Sequence, residues 1–173
     1  MRRNADDGAE ALWIVAAGRA EIRAARAALP AAHEVRVRAL VGAISRGTES
    51  LVFRGMVPES EWLRMRCPCQ EGDFPFPVKY GYATVGVIED GPAERLGKRI
   101  FSLHPHQTRF TLRTDAAIPV PDSIPSERAA LAPQMETALN ATWDAALEAG
   151  ERIAIVGAGV IGILVAYLAV RLN

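Results

Sequence analysis

The stretch that most constrains this chain is Glu151-Arg152-Ile153-Ala154-Ile155-Val156-Gly157-Ala158-Gly159-Val160-Ile161-Gly162, close to its C-terminal end. Apolar residues come first, then a glycine turn, then an apolar run from Val160 to Leu172 with helical character. The spacing predicts a buried strand, a tight turn and a helix. Gly157 permits the turn, Gly159 lets a phosphate approach the backbone, and Gly162 lets the helix pack close to the strand. The helix start adds unpaired N–H groups and a partial positive charge. Gly157, Ala158, Gly159, Val160, Ile161 and Gly162 are therefore candidate ligands of a dinucleotide pyrophosphate. The acidic residue that reads the ribose lies about 20 residues beyond such glycines. The sequence ends at Asn173 before reaching it, so the choice between NAD and NADP is not legible.

A rival reading starts from the same residues. Ile153 to Val170 is an uncharged, apolar run between Arg152 and Arg171, and about 18 such residues make a candidate membrane span. The glycines crowding its first half favour the strand and turn. The alternative is a binding domain with a C-terminal membrane anchor.

Composition narrows the classes. The 173 residues are 50% hydrophobic, enough for a sizeable core. Lys+Arg and Asp+Glu are both 20, a balance without the basic footprint of a nucleic-acid or acidic-lipid binder. Met1 to Glu10 is polar, with no apolar segment of a secretory leader. Cys67 and Cys69 flank Pro68, too close for an easy disulfide framework. Two incidental thiols in a loop, in a reducing cytoplasm, are the simplest reading.

Short strands fill the front of the chain. Leu12–Ala17 suits a first strand; Glu21–Arg26 could pair with it, although its alanines also suit a helix. His33–Ala39 alternates, with Val35, Val37 and Ala39 on one face and Glu34, Arg36 and Arg38 on the other. Ser45–Glu49 reads as a polar bend. Met56–Pro77, with four prolines, reads as a long surface loop containing one helical turn. Tyr80–Glu89, Arg99–Leu103 and Thr108–Leu112 read as strands, with His104-Pro105-His106 between the last two. Ile118–Pro125 is a proline-rich linker. Ser126–Glu148 reads as a helix capped by Ser126 and kinked or restarted at Pro133. Strands followed by helix and glycine turn predict a small barrel over 1–125 and a second domain over 126–173.

These residues resemble the medium-chain dehydrogenase/reductase family. Its polar bend, commonly Gly-x-Cys-Gly-Thr-Asp, is matched by Ala43-Ile44-Ser45-Arg46-Gly47-Thr48-Glu49. Its Gly-His-Glu-x-x-Gly strand is matched by Gly81-Tyr82-Ala83-Thr84-Val85-Gly86, and its glycine turn by Gly157 to Gly162. The bend and the Gly-Tyr strand look closest to bacteriochlorophyllide hydroxyethyl dehydrogenases. The resemblance implies a mixed α/β fold, a GroES-like β-barrel followed by the first helix-strand-helix portion of a truncated Rossmann domain. It also implies a nicotinamide-dependent oxidoreductase acting on a small alcohol, ketone or activated alkene, as a cytoplasmic homo-oligomer.

The departures from the pattern bear on mechanism. Where the family's zinc branch has cysteine and histidine ligands, this chain has Ser45 or Arg46 and Tyr82; Pro133 falls at the third place. Zinc prefers thiolate, imidazole or carboxylate, so the usual catalytic zinc is expected to be lost. His104, His106 and Glu136 are the right types for an atypical zinc set, which is the alternative. A zinc-free reaction still needs a group to stabilise or protonate the carbonyl oxygen. Tyr82 is the candidate proton donor, Thr48 the hydroxyl relay and Arg46 the anchor for an anionic group. Thr137 matches the position beside the nicotinamide. A lone parallel strand and an apolar helix lack cover. The 173-residue product alone is expected to be an inactive fragment that aggregates, self-associates or leaves this tail disordered.

Overall fold

The computed structural model describes residues 8–148 and 150–172. Most of the polar N-terminal stretch, residues 1–7, lies outside them. The chain divides into two compact units, with the boundary between Ala130 and Leu131.

Among the described residues the first unit contains nine strands: β1 (Gly8–Ala16), β2 (Arg19–Arg26), β3 (Glu34–Gly42), β4 (Glu71–Gly72), β5 (Val78–Lys79), β6 (Thr84–Asp90), β7 (Arg99–Ser102), β8 (Arg109–Arg113) and β9 (Ile118–Pro119). They form two antiparallel sheets, in the orders β2-β1-β5-β4 and β8-β3-β6-β7-β9. The alanines of 21–26 do not make a helix. Pairing along β1, with Leu12 opposite Ile22, holds them extended. Residues 106–108 join the sheets. Leu12 donates its amide to the His106 carbonyl and Thr108 donates to that of Glu10, while Ala39 of β3 donates to Thr108.

In β3, Val35 and Val37 are buried as the alternation predicts, but Arg36 is buried too. Both faces of the strand are covered at that point, and Arg36 reaches Asp90 at 3.7 Å. The expected strand over 80–89 starts only at Thr84, as β6; residues 80–83, where Gly81 takes a φ of +139°, separate it from β5. The polar bend becomes the start of a helix, α1 (Thr48–Arg54). The long loop over 56–77 holds the short helical turn Glu59–Glu61 and β4. It is not simply a surface loop, since Val57, Cys67 and Phe74 join Ile14, Val78 and Tyr80 in a core cluster.

The linker also differs from expectation. Its first residues, Ile118–Pro119, pair with β7. Arg99 then anchors the rest, donating to the carbonyls of Pro121, Asp122 and Ile124 and to the Ser126 hydroxyl. Ser126 therefore does not cap the following helix; Pro125 occupies the cap position with no side-chain bond. The predicted single helix is two, α2 (Ser126–Ala129) and α3 (Ala132–Asp144), with Pro133 in the first turn of the second. There its missing N–H costs nothing. Ala130 ends the first unit and packs with Ala83, Val85 and Phe101.

The second unit contains α3 and α4 (Val160–Leu172), which pack on each other. The expected strand over Ile153–Val156 does not form. A strand needs a partner for its backbone groups, and among the described residues none pairs with it. Val156 is fully exposed. Residues 153–159 are not helical, so the apolar run is split. Among the described residues no helix is long and apolar enough to cross a membrane.

Candidate functional site

In the first unit, one imidazole organises the polar residues. The segment 106–108 is held on both sides by backbone hydrogen bonds, which places the His106 ring between two glycines. A Cβ on Gly42 would lie 3.0 Å from Nδ1, and one on Gly81 would lie 2.9 Å from Nε2. A side chain at Gly81 would displace the ring, and one at Gly42 would crowd it. His106 Nε2 meets Glu49 Oε2 at 2.8 Å. The other carboxylate oxygen of Glu49 accepts the Ser45 amide at 3.1 Å. Glu49 is 7% exposed, and its carboxylate thus has two donors in place of water.

The bend and the Gly-Tyr strand meet at this ring. Glu49 comes from the first turn of α1, beside Thr48, and Gly81 immediately precedes Tyr82. Tyr82 is half-buried and edge-on to Tyr80, with ring centroids 6.3 Å apart. Its hydroxyl makes no hydrogen bond among the described residues, whereas Tyr80 donates to the Met65 carbonyl at 2.8 Å. Burial raises the pKa of Tyr80 above the ordinary phenol value and pushes the Cys67 thiol up to about 11, so neither ionises readily. Cys67 is buried, Cys69 is exposed, and both are free.

Thr48 is half-buried and Arg46 is exposed; neither side chain makes a hydrogen bond or ion pair among the described residues. Arg46 is therefore not drawn into the cluster around His106. The two histidines of His104-Pro105-His106 have separate environments. His104 stacks on Phe110 with centroids 3.8 Å apart, and its Nδ1 lies 2.9 Å from the Pro105 carbonyl. Burial pulls its pKa down to about 4, which keeps it neutral. Glu136 is exposed on α3, in the second unit. Among the described residues no group of three or more His, Cys, Asp or Glu side chains could hold a metal ion. Ser45 and Tyr82, at the places of the zinc branch's ligands, do not fit zinc either.

The glycine turn of the second unit has its own geometry. Gly157 takes a φ of +110°, and a Cβ on Gly162 would come 2.0 Å from the Gly157 carbonyl oxygen. Ile163 donates to the Gly159 carbonyl in the first turn of α4. Around Gly159 a Cβ would meet nothing within 4 Å, so its backbone is open to approach. Ala158 is exposed, as is Val160, and Ile161 is half-buried. Thr137 is exposed on α3 and its hydroxyl is spent on the Pro133 carbonyl at 3.0 Å.

The pairing of Glu49 with His106 is the feature that sequence reasoning missed. Glu49 was legible only as part of the bend, and His106 only as a candidate ligand. The signal lay in two glycines, Gly42 and Gly81, distant in sequence, that flank one ring.

Solved structures give the fold a context. An alcohol dehydrogenase from Escherichia coli, in complex with NADH, is 18% identical, with a TM-score of 0.73 over 94% of this chain and 53% of its own. The quinone oxidoreductase of Thermus thermophilus, also solved in complex with NADPH, is 22% identical, with a TM-score of 0.67 over 92% of this chain and 49% of its own. The quinone oxidoreductase of Coxiella burnetii is 16% identical, with a TM-score of 0.69 over 95% and 54%. At such identities the likeness shows the fold. The chain spans about half the length of these structures. No protein-family model matches the sequence, and no curated protein matches it significantly.

Proposed function

We propose that this chain is the front part of an NAD(P)-dependent oxidoreductase of the medium-chain dehydrogenase/reductase type. It pairs a GroES-like substrate domain with the opening of a Rossmann domain, and works without the usual catalytic zinc. One observation carries the reading: a glycine turn with Gly162 packed on the Gly157 carbonyl follows a two-sheet unit, in a fold shared with dehydrogenases and quinone oxidoreductases. Gly157 to Gly162 would hold the pyrophosphate, with Gly159 open to it, and Thr137 would lie beside the nicotinamide. That cofactor supplies or accepts a hydride.

The protein's own task is the carbonyl oxygen. Tyr82 would donate the proton, since its hydroxyl has no other partner, and Thr48 would relay it. Arg46 would engage an anionic group of the substrate. The closer likeness to bacteriochlorophyllide hydroxyethyl dehydrogenases rests on the Ser45–Glu49 bend and the Gly81-Tyr82 pair alone. A cytoplasmic homo-oligomer is the expected form.

The test is oxidation of NADH and NADPH by the whole protein with a panel of ketones, enones and quinones. Tyr82→Phe is expected to lower kcat about 100-fold or more and to leave dinucleotide affinity unchanged. Full turnover in that variant removes Tyr82 from the mechanism. Absence of dinucleotide binding by the whole protein removes the redox reading.

A further inference from the structure

β2 is the outermost strand of its sheet, in the order β2-β1-β5-β4. Its inner edge pairs with β1 in unbroken register from Ala20 to Arg26. Among the described residues, the backbone of 19–25 makes no hydrogen bond outside that pairing. The outward N–H and C=O groups of such an edge are a template for another strand. Proteins commonly blunt an edge with a proline, a lysine, a bulge or a very short strand. β2 has eight residues, Arg-Ala-Glu-Ile-Arg-Ala-Ala-Arg, with neither proline nor lysine. Its two faces differ. Glu21 lies opposite Trp13, and the Arg23 guanidinium stands 5.4 Å from the Trp13 ring on the same face. Ile22 lies opposite Leu12 on the other face and is 63% exposed, with Ala20 and Ala24 exposed beside it. Ile22, Leu12 and Ile44 line a shared, open apolar cleft. Apolar surface left open beside a free strand edge marks an interaction surface.

We propose that β2 pairs antiparallel with β2 of a second copy of this chain, about a two-fold axis at Ile22. The charge pattern of the strand carries this choice of partner. An axis there, perpendicular to the sheet, sets Ile22 against Ile22 of the other copy and Ala20 against Ala24. It sets Glu21 of each copy against Arg23 of the other. Opposite charges directly across an antiparallel pair stabilise it, and like charges there destabilise it. An axis moved to Glu21 or to Arg23 would set like charges face to face. Within its own strand Glu21 already meets Arg19 at 2.6 Å and Arg23 at 3.2 Å. Pairing therefore joins two such clusters into one network of alternating sign. On the opposite face the two Ile22 side chains meet and continue the apolar wall begun by Leu12 and Ile44. The contact is isologous, so it closes at two copies and does not propagate into a fibre.

This interface goes beyond the oxidoreductase reading and does not rest on it, since none of Tyr82, Thr48 and Arg46 lies in β2. The test is sedimentation velocity of the 173-residue chain over a concentration series, with folding checked by far-ultraviolet circular dichroism. Glu21→Arg and Arg23→Glu are each expected to weaken dimerisation about tenfold, by setting like charges across the axis. An equimolar mixture of the two variants should recover the wild-type affinity, because each copy then offers the charges that the other lacks. The double variant should recover it as well. Ile22→Lys, which sets two ammonium groups together at the axis, should leave the chain monomeric. Amide hydrogen exchange within 19–26 should slow as the wild-type concentration rises. A wild-type chain that stays monomeric, single variants that dimerise like the wild type, or a mixture no tighter than its components overturns the proposal. So does association that all these variants share and that protects amides over 153–156 instead, which assigns it to the exposed residues of the second unit.

Discussion

The two units of this chain are built on opposite terms. In the first, two sheets close over apolar clusters in which Val35, Val37, Val78 and Val85 have no exposure at all. Its buried Lys79 is paired with Glu71 and Gln107. In the second, two helices pack on each other, while the glycine turn and the residues before it are exposed. The contrast teaches that the glycine turn holds its shape locally, through Gly157 and Gly162, without a sheet beneath it. The first unit's site depends instead on contacts between residues far apart in sequence.

The strongest way to sharpen that contrast is to cut the larger core. Phe110 is 1% exposed and stacks on His104. Phe110→Ala should cost about 3–5 kcal/mol, read by urea unfolding through Trp13 and Trp62. Next comes pH. His104 is held neutral, its pKa lowered from 6.5 to about 4, chiefly by burial. The unfolded chain binds the proton more tightly, so this contribution is present above the unfolded pKa of about 6.5 and is lost as pH falls toward about 4. The loss is on the order of 3 kcal/mol across that window. His104→Leu should flatten this part of the stability profile; an unchanged slope assigns the acid sensitivity to other groups.

Arg99→Met removes four hydrogen bonds from the linker. It should cost about 1–3 kcal/mol, with hydrogen exchange accelerated at residues 121–126 before it rises in β6. In the second unit, Gly162→Ala must open the turn, because the new Cβ meets the Gly157 carbonyl oxygen, whereas Gly159→Ala meets nothing. Amide shifts over 155–163 should move in the first variant and stay in the second, with the first unit's unfolding midpoint unaltered in both. The smallest effect is expected from Ile163→Ala, at 60% exposure, within about 0.5 kcal/mol. A larger loss would show that α4 carries stability the comparison denies it.

The sequence made local order legible and long-range order much less so. Alternation in Val35, Val37 and Ala39 marks β3 because its period matches a sheet with a buried face. The helix from Val160 follows from unbroken apolar, helix-compatible residues. Pro133 marks the restart of α3 for its own steric reason. By contrast, Ile118–Pro119 looks like linker because its strand character comes only from pairing with β7. Arg36 looks solvent-facing because nothing local says that both sides of β3 are covered there. Ile153–Val156 has the composition of a strand, but backbone hydrogen bonding needs a neighbour that composition does not supply. The His106–Glu49 pair was hidden for a similar reason: its specification is distributed over Gly42, Glu49, Gly81 and His106, four positions that only the fold brings together.

Residues 106–108 are stitched to β1 on one side and to β3 on the other. The imidazole thus rides on a crosspiece shared by both sheets and cannot swing away without tearing bonds in each. A change in either sheet is therefore felt at the ring, and through it at Glu49.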